Sequence, residues 1–572
     1  MSNLDSKEIP NPFNFQAKEL NYFKTELKKF IQDKKSTIYQ YYGSIFISYP
    51  LELTAFTYIS SHIFTIISQK NIDINKLVKY IIIFVTVYGL SMLFRIYKDY
   101  IEATTTPLLI RHFRENIFNN ILLKLKKQDA SLKIGDIISR FITIPTSIRD
   151  IITDTSVLII PKLFKVLIII IISLYVNFKV GMINLLTLII ITILLYYKNI
   201  QCFKYHYLNN ETFNEVSQVL QNKLYNIFNI IISNNIKQEI KDNKKREREV
   251  YNIYLDSKKC SWNTNLLVNI VLGINAISIL YIIVKSLSND TIKSSYAITC
   301  IVLISHFIPN IITIVNMIPF TINNYANLLE SGEFINFISS FSNVNGKKHN
   351  IYGDIVIRNL DFKYAGSKTF IFKKLNITIK KNSSIMIIGK SGTGKSTLMK
   401  LLCGFFTTKK DTITFNGKDI NKIDVEDLRR QLGLMSQNIR MFEDSILNNI
   451  KYSNPNIKKE DIYNFINKYE LKVYQNINNN LDTKILPNET NISGGQKQFA
   501  ILMRLILSDK KVLILDEPTS ALDDYHFEVV KKILADLKGK RTIIVISHDN
   551  RFKKNDFDHS YALQNQLLIE KK

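Results

Sequence analysis

The sequence predicts two domains of different class: a helical membrane domain of six spans and, behind it, a soluble α/β domain. Three observations carry that reading. Apolar runs crowd the first three-fifths of the 572 residues, and mixed strand-and-helix sequence fills the rest. Six of those runs approach the roughly 20 apolar residues that a helix needs to cross a bilayer. Near residue 389 an apolar strand runs into a glycine-rich loop and then a helix, an order of elements that suits anions.

Composition narrows the class. The chain is 46% hydrophobic and 22% charged with a formal net charge of +26. Such a charge could suit nucleic acid, but the sequence holds no nucleic-acid module and no basic stripe interleaved with aromatics. In a membrane protein Lys and Arg gather on cytoplasmic loops facing anionic lipid, so the expected partner is the bilayer. Cys202, Cys260, Cys300 and Cys403 are scattered without CxxC spacing, so neither a disulfide framework nor a metal site is expected. Residues 1–18 carry Asp5, Glu8 and two prolines, unlike the apolar core of a signal peptide or an acid-poor transit peptide.

The spans are expected near 42–68, 77–97, 156–177, 180–198, 264–287 and 296–324. The first is interrupted by Pro50 and Glu52, and the third carries Lys162 and Lys165 near one end. Loops after spans one, three and five are short. Those after spans two and four are long and rich in Lys and Arg, as in 111–127 and 237–248. The positive-inside rule puts the long loops, both termini and the soluble domain on the cytosolic or organelle-matrix side of a multi-pass membrane protein. The chain divides into an N-terminal segment at 1–40, a transmembrane domain at 41–335, a linker at 336–350 and the soluble domain at 351–572. Polar groups inside spans are cavity candidates by default: Glu52, Asn275, His306, Asn310 and Asn316, with Pro309 kinking the sixth span. Helix packing explains such groups as readily.

From about residue 352 the period changes. Stretches 356–362 and 372–379 read as strands and 384–388 as a buried one. The last leads into Gly389, Lys390, Ser391, Gly392, Thr393, Gly394, Lys395 and Ser396, then a helix from Thr397. This is G-x-x-x-x-G-K-[ST] in the strand–loop–helix setting it requires. Glycines let backbone N–H groups curl around phosphates and the helix N-terminus adds its dipole. Lys395 then reaches the β- and γ-phosphates of a nucleotide, and Ser396 ligates Mg²⁺. Further on, 512–515 form an apolar strand ending in Asp516 and Glu517. Such a strand delivers carboxylates to the ligand-binding edge of a parallel sheet. Asp516 suits Mg²⁺ and Glu517 suits polarising an attacking water.

Around these elements the sequence resembles the ATP-binding cassette (ABC) family. Ile492, Ser493, Gly494, Gly495 and Gln496 are similar to its signature, and 518–523, ending in Asp523, to its D-loop. Gln437 stands where the Q-loop glutamine belongs and contributes to Mg²⁺ binding. His548 stands at the switch histidine and Tyr364 at the aromatic that stacks on adenine. The resemblance implies an exporter-type half-transporter using ATP and Mg²⁺: a helical transmembrane domain with an N-terminal elbow helix and a P-loop cassette with an antiparallel β subdomain and a helical subdomain. It implies catalytic roles for Glu517, His548, Gln437 and Lys395, and ATP contacts from Tyr364, the loop through Thr397, the signature acting in trans, and Asp523. It also implies dimerisation with a second half-transporter, a homodimer keeping both composite sites intact with one chain. Coupling helices that dock on the cassettes are expected at 116–124 and 213–221.

Departures from the family pattern lie before the signature, where Leu486, Pro487 and Glu489 occupy positions that commonly hold Gly, Glu and Gly. The reading is export of an unidentified substrate by alternating access. The alternatives are an importer built on the same membrane fold and an ATP-gated channel or regulator.

Overall fold

The computed structural model describes residues 18–69, 72–125, 134–289, 294–339, 346–364, 366–390, 392–437, 440–475 and 480–571. It separates into two compact units, one helical and N-terminal, the other C-terminal and built on β-sheets.

The first unit is helical: α1 (Lys18–Asp33), α2 (Lys35–Thr54), α3 (Ser60–Ile67), α4 (Ile74–Leu125), α5 (Ile134–Thr153), α6 (Ile160–Val176), α7 (Phe178–Tyr225), α8 (Ile227–Ile232), α9 (Ile236–Ser288), α10 (Ser294–Glu330) and α11 (Gly332–Ser339). Five helices among the described residues are long and apolar enough to cross a membrane, judged by length and composition. They match the second to sixth expected spans. The first expected span is helical but built in pieces, as α2, a π-helical turn at Ala55–Ile59 and α3. Pro50 and Glu52 lower its apolar character, and it does not join the five. A second π-helical turn, Asp154–Ile159, joins α5 to α6. The apolar window of α4 is only 6% buried, as expected of a face turned to lipid.

Two expectations for this unit are corrected. Residues 116–124 and 213–221 are not turns but lie inside α4 and α7. Apolar i, i+3, i+4 spacing carries α7 on to Tyr225, and the chain reverses through α8, which exposes Ile227, Phe228, Ile231 and Ile232. The turn after α4 lies outside the described residues. Cys202 on α7 and Cys260 on α9 form a disulfide, their Cα atoms 5.6 Å apart across 58 residues. Absence of CxxC spacing could not reveal this pair, because two antiparallel helices bring distant residues together.

The cavity candidates are engaged in helix packing. Lys165 Nζ lies 2.9 Å from Glu52 Oε1, an ion pair between α6 and α2 with both side chains largely buried. Asn275 donates to Asn184 Oδ1 at 3.2 Å and to Thr187 Oγ1 at 2.8 Å. Asn310 donates back to the His306 carbonyl, Asn316 accepts from Asn265, and the His306 ring packs against Phe56. In the polar extensions Arg140 (α5) pairs with Glu330 (α10), and Asn214 (α7) donates to the same carboxylate at 3.1 Å.

In the second unit, β1 (Ile355–Phe362), β2 (Phe372–Ile379), β4 (Ile413–Phe415) and β5 (Lys418–Asp419) form an antiparallel sheet ordered β2-β1-β4-β5. The main sheet is ordered β10-β9-β3-β8-β7-β6, from β3 (Ser384–Ile388), β6 (Leu432–Met435), β7 (Val512–Asp516), β8 (Thr542–Ile546), β9 (His559–Gln564) and β10 (Leu567–Glu570). Strands β9, β3, β8, β7 and β6 run parallel, and β10 is antiparallel at the edge. The parallel strands are apolar throughout because both faces are covered. Val512 and Ile514 of β7, with Ile544 and Ile546 of β8, pack into the core shared with the antiparallel sheet and α12 (Lys395–Leu402). Their neighbours Leu513, Leu515, Ile543 and Val545 face the core of α17 (Gly494–Leu507) and α18 (Asp524–Leu537). Four shorter helices complete the unit: α13 (Val425–Gln431), α14 (Ile446–Lys451), α15 (Lys459–Lys468) and α16 (Lys472–Gln475). The period of two in the strands sorts side chains between the two cores and leaves the strand ends to carry chemistry.

Candidate functional site

The site is assembled at the ends of β3, β7 and β8. Strand β3 delivers Gly389 and the glycine-rich loop to the start of α12. Gly392 and Gly394 adopt φ of +81° and +105°, a region that side-chain-bearing residues avoid. A Cβ at Gly394 would also press on Ile371 and Phe372. The resulting curl precedes the free N–H groups of α12, a cradle whose size and positive character suit phosphate. Lys395 Nζ lies 2.6 Å from the Gly389 carbonyl and 3.0 Å from that of Lys390, so its ammonium is already over the loop. Thr393 Oγ1 donates to the Lys390 carbonyl. Ser396 is exposed at the head of α12, and Ser391 lies outside the described residues. Tyr364 donates to or accepts from Thr397 Oγ1 at 2.8 Å and leans edge-on to Phe362 and Phe406. An aromatic ring is thereby held beside the loop.

Strand β7 ends in two adjacent carboxylates, both buried. Burial, and next the charge of Glu517, push the Asp516 carboxyl above its ordinary range, against the pull of Lys395 and the Gln437 backbone N–H. Oxygen ligands of this kind, Asp516 with the Ser396 hydroxyl, suit Mg²⁺. Glu517 has φ +53°, a strained conformation for a residue with a side chain. It is held there by its N–H donating to the Ile546 carbonyl at 2.8 Å. Glu517 Oε1 lies 2.6 Å from His548 Nδ1, the carboxylate 6% exposed and the imidazole 72%. The contact engages Nδ1 and leaves Nε2 as the other ring nitrogen. Gln437 is exposed just beyond β6.

The signature residues open α17. Ser493 is its N-cap, its hydroxyl accepting from the Gln496 N–H while the Gln496 side chain accepts from the Ser493 N–H. A Cβ at Gly494 would meet Ala521 at 2.9 Å, and one at Gly495 would meet Leu522 at 3.3 Å. The D-loop thus packs directly on the signature. Asp523 caps α18 by accepting from His526. Among the described residues, no hydrogen bond or ion pair joins the signature to the phosphate loop or to Glu517.

Two clusters escaped the sequence reading. Asp549, one residue past His548, accepts from Thr519 Oγ1 at 2.8 Å and from Arg551 Nη2 at 2.7 Å. Arg551 also reaches Asp524 and the Leu522 carbonyl, tying the D-loop to the segment of the switch histidine. The bond to Arg551, ahead of the opposing effect of burial, holds the Asp549 carboxyl down to about 2. The adjacency of an acid and a base at 549 and 551 was visible, but its partners lie some 30 residues away. The second cluster centres on Glu489. Its Oε1 accepts from the Met441 N–H at 2.6 Å and its Oε2 pairs with Lys497 Nζ at 2.6 Å.

Comparison with known proteins agrees with this geometry. Residues 51–310 match the family model of the ABC transporter transmembrane region, and 372–520 match the ABC transporter family model. An ATP-dependent lipid A-core flippase of Vibrio parahaemolyticus is 35% identical over 206 residues, 34% of this chain and 34% of the relative. The corresponding flippase of Escherichia coli K12 is 34% identical over 198 residues, and the ATP-dependent permease MDL1 of Candida albicans 36% over 223, 33% of its length. The chain therefore aligns with about a third of the length of these curated relatives. Among solved structures, a bacterial Atm1-family ABC exporter with ATP bound shares the fold, with TM-score 0.81 and 17% identity over 94% of this chain and 95% of that one. With the transmembrane region and the cassette matched in that order, the chain belongs to the ABC transporters and shares the fold of an exporter of that family.

Proposed function

We propose that the chain hydrolyses ATP to drive export of a substrate across a membrane, working as a dimer with the cassette on the cytosolic or organelle-matrix side. The observation that carries this reading is Glu517, buried at the end of β7 and bonded to His548 at 2.6 Å. A nucleotide sensor has no need of a strained, buried carboxylate beside a switch histidine. The phosphate loop and Lys395 hold the β- and γ-phosphates, and Tyr364 supports the base. Asp516, Ser396 and Gln437 are the residues that would hold Mg²⁺, which supplies charge neutralisation at the phosphates. Glu517 keeps Oε2 for the attacking water, and His548 Nε2 faces the γ-phosphate. Ser493 and the Gly494–Gly495 amides, at the head of α17, offer neutral donors to the ATP of a second subunit. That division of the site is why a dimer is required, and a homodimer supplies both halves from one sequence. The exposed apolar α8 takes the coupling role expected of the turn after α7.

The lipid A-core flippases among the relatives favour a lipid or other amphiphile as cargo. Substitution Glu517→Gln tests the assignment: ATP binding persists while steady-state hydrolysis falls by about 10²–10⁴-fold. Undiminished turnover in the purified variant would refute the assigned base.

A further inference from the structure

Glu489 occupies a position in the approach to the signature where a side chain is conformationally disfavoured. It sits at φ +61° at the end of a one-turn 3₁₀ helix, Pro487–Glu489. A glycine would take that backbone geometry without strain, so the presence of a glutamate calls for a role for its carboxylate. The carboxylate is occupied at both oxygens. Oε1 accepts the Met441 N–H at 2.6 Å, and Oε2 pairs with Lys497 at 2.6 Å, with the Glu489 and Lys497 side chains 19% and 24% exposed. Met441 follows Gln437 by four residues, in the segment between β6 and α14. Lys497 follows Ser493 by four residues, one turn into α17. Glu489 is thus the joint between the segment that follows the glutamine and the helix that presents the signature.

A second, deeper connection runs parallel to it. Asn449 of α14, almost fully buried, donates to the Phe442 carbonyl at 3.0 Å, while its own carbonyl accepts from Arg504 of α17 at 2.6 Å. The same segment is therefore fastened to α17 at two levels, near its start through Glu489 and near its end through Asn449. Two attachments on one helix fix its direction as well as its distance.

We infer that Glu489 is a positioning residue, a latch through which displacement of the Gln437 segment sets the orientation of the signature helix. The inference rests on the proposed ATP-driven reading and adds its intramolecular link. Gln437 answers to the nucleotide bound by its own cassette, whereas Ser493 serves the nucleotide of the other subunit. The Met441–Glu489–Lys497 contacts link the segment after Gln437 to the signature helix, so that occupancy of one site alters the quality of the other. Because the latch touches neither phosphate nor base, its loss should spare nucleotide binding and weaken turnover and cooperativity.

The test uses the full chain in lipid nanodiscs. Glu489→Gly relieves the backbone while cutting both bonds, Glu489→Gln keeps an acceptor for Met441 and removes the charge, and Lys497→Met removes the partner. The expected result is a roughly 3- to 10-fold fall in kcat, on the order of one ordinary net hydrogen bond, for Glu489→Gly and Lys497→Met. KM for ATP stays within twofold, the double variant is no worse than either single one, and Glu489→Gln lies in between. Parent-like kcat in both single variants, or multiplicative losses in the double, would overturn the latch. Hydrogen exchange with ATP added in the Glu517→Gln background reads the link without hydrolysis. ATP-induced protection of the first turn of α17 should disappear on Glu489→Gly while protection of the phosphate loop remains. Protection at both places overturns the latch alone, and no protection of the phosphate loop in the parent overturns the ATP reading and the latch with it.

Discussion

The two units bury charge in opposite ways. In the helical unit it is buried in pairs, Glu52 with Lys165 and Arg140 with Glu330. In the cassette two carboxylates at the end of β7, Asp516 and Glu517, are buried side by side, and among the described residues neither has an ion pair with a lysine or arginine. A paired charge offsets its own desolvation and holds helices in register. Adjacent like charges oppose burial and each other. The first arrangement serves the fold, and the second is retained despite the fold, for the cation and water it can handle. The same contrast explains why Glu52, a polar group inside a span, is a packing element here, whereas Glu517 is the residue proposed to act on water.

That comparison can be broken by removing one charge from each unit. Asp516→Asn is expected to lower Mg²⁺-dependent ATPase activity by about 10² or more with no loss of thermal stability. Folding raises this carboxyl's pKa. The raised value means that the folded state disfavours the ionised form, a penalty absent below the ordinary value of 3.8 and complete once pH exceeds the folded value. The neutral Asn therefore matches or exceeds the parent in melting temperature at pH 7, and a marked drop would contradict the contrast. Lys165→Met should do the reverse, costing about 3–5 kcal/mol by stranding Glu52. Adding Glu52→Gln should recover most of the loss in a thermal melt in detergent.

Smaller effects sharpen the picture. Arg551→Ala is expected to cost about 2 kcal/mol, the scale of hydrogen bonds to a charged group. Asp549, held near 2, contributes stability above about pH 4 that fades as pH falls toward 2. The gap between the parent and Asp549→Asn should close over that interval in acid unfolding followed by circular dichroism. Smallest is Asn275→Leu, about 0.6 kcal/mol for a polar contact between membrane helices. Transport lost in this variant with stability retained would return Asn275 to the cavity.

How much the sequence revealed differed between the units for a physical reason. The phosphate loop, the Asp516–Glu517 strand and the signature are contiguous, because each needs a strand end or a helix start that neighbouring residues build. Gln437, His548 and Tyr364 were placed by their order around those elements. The apolar spans were visible because the bilayer imposes a length and a polarity on each one. The first expected span, near 42–68, falls outside the five long apolar helices because Pro50 and Glu52 lie in it, and Glu52 makes sense only beside Lys165, 113 residues on. The Cys202–Cys260 bridge, the turn at α8, the Asp549–Arg551 clasp on the D-loop and the Glu489 latch share that character. Each depends on pairing across elements, which local composition does not encode. The sequence by itself determined that this is a membrane protein with a nucleotide cassette, and where the glycine-rich loop and the Asp516–Glu517 strand end lie. The tertiary structure decided which buried charges neutralise one another and which stand exposed to chemistry, because burial and distance are properties of packing.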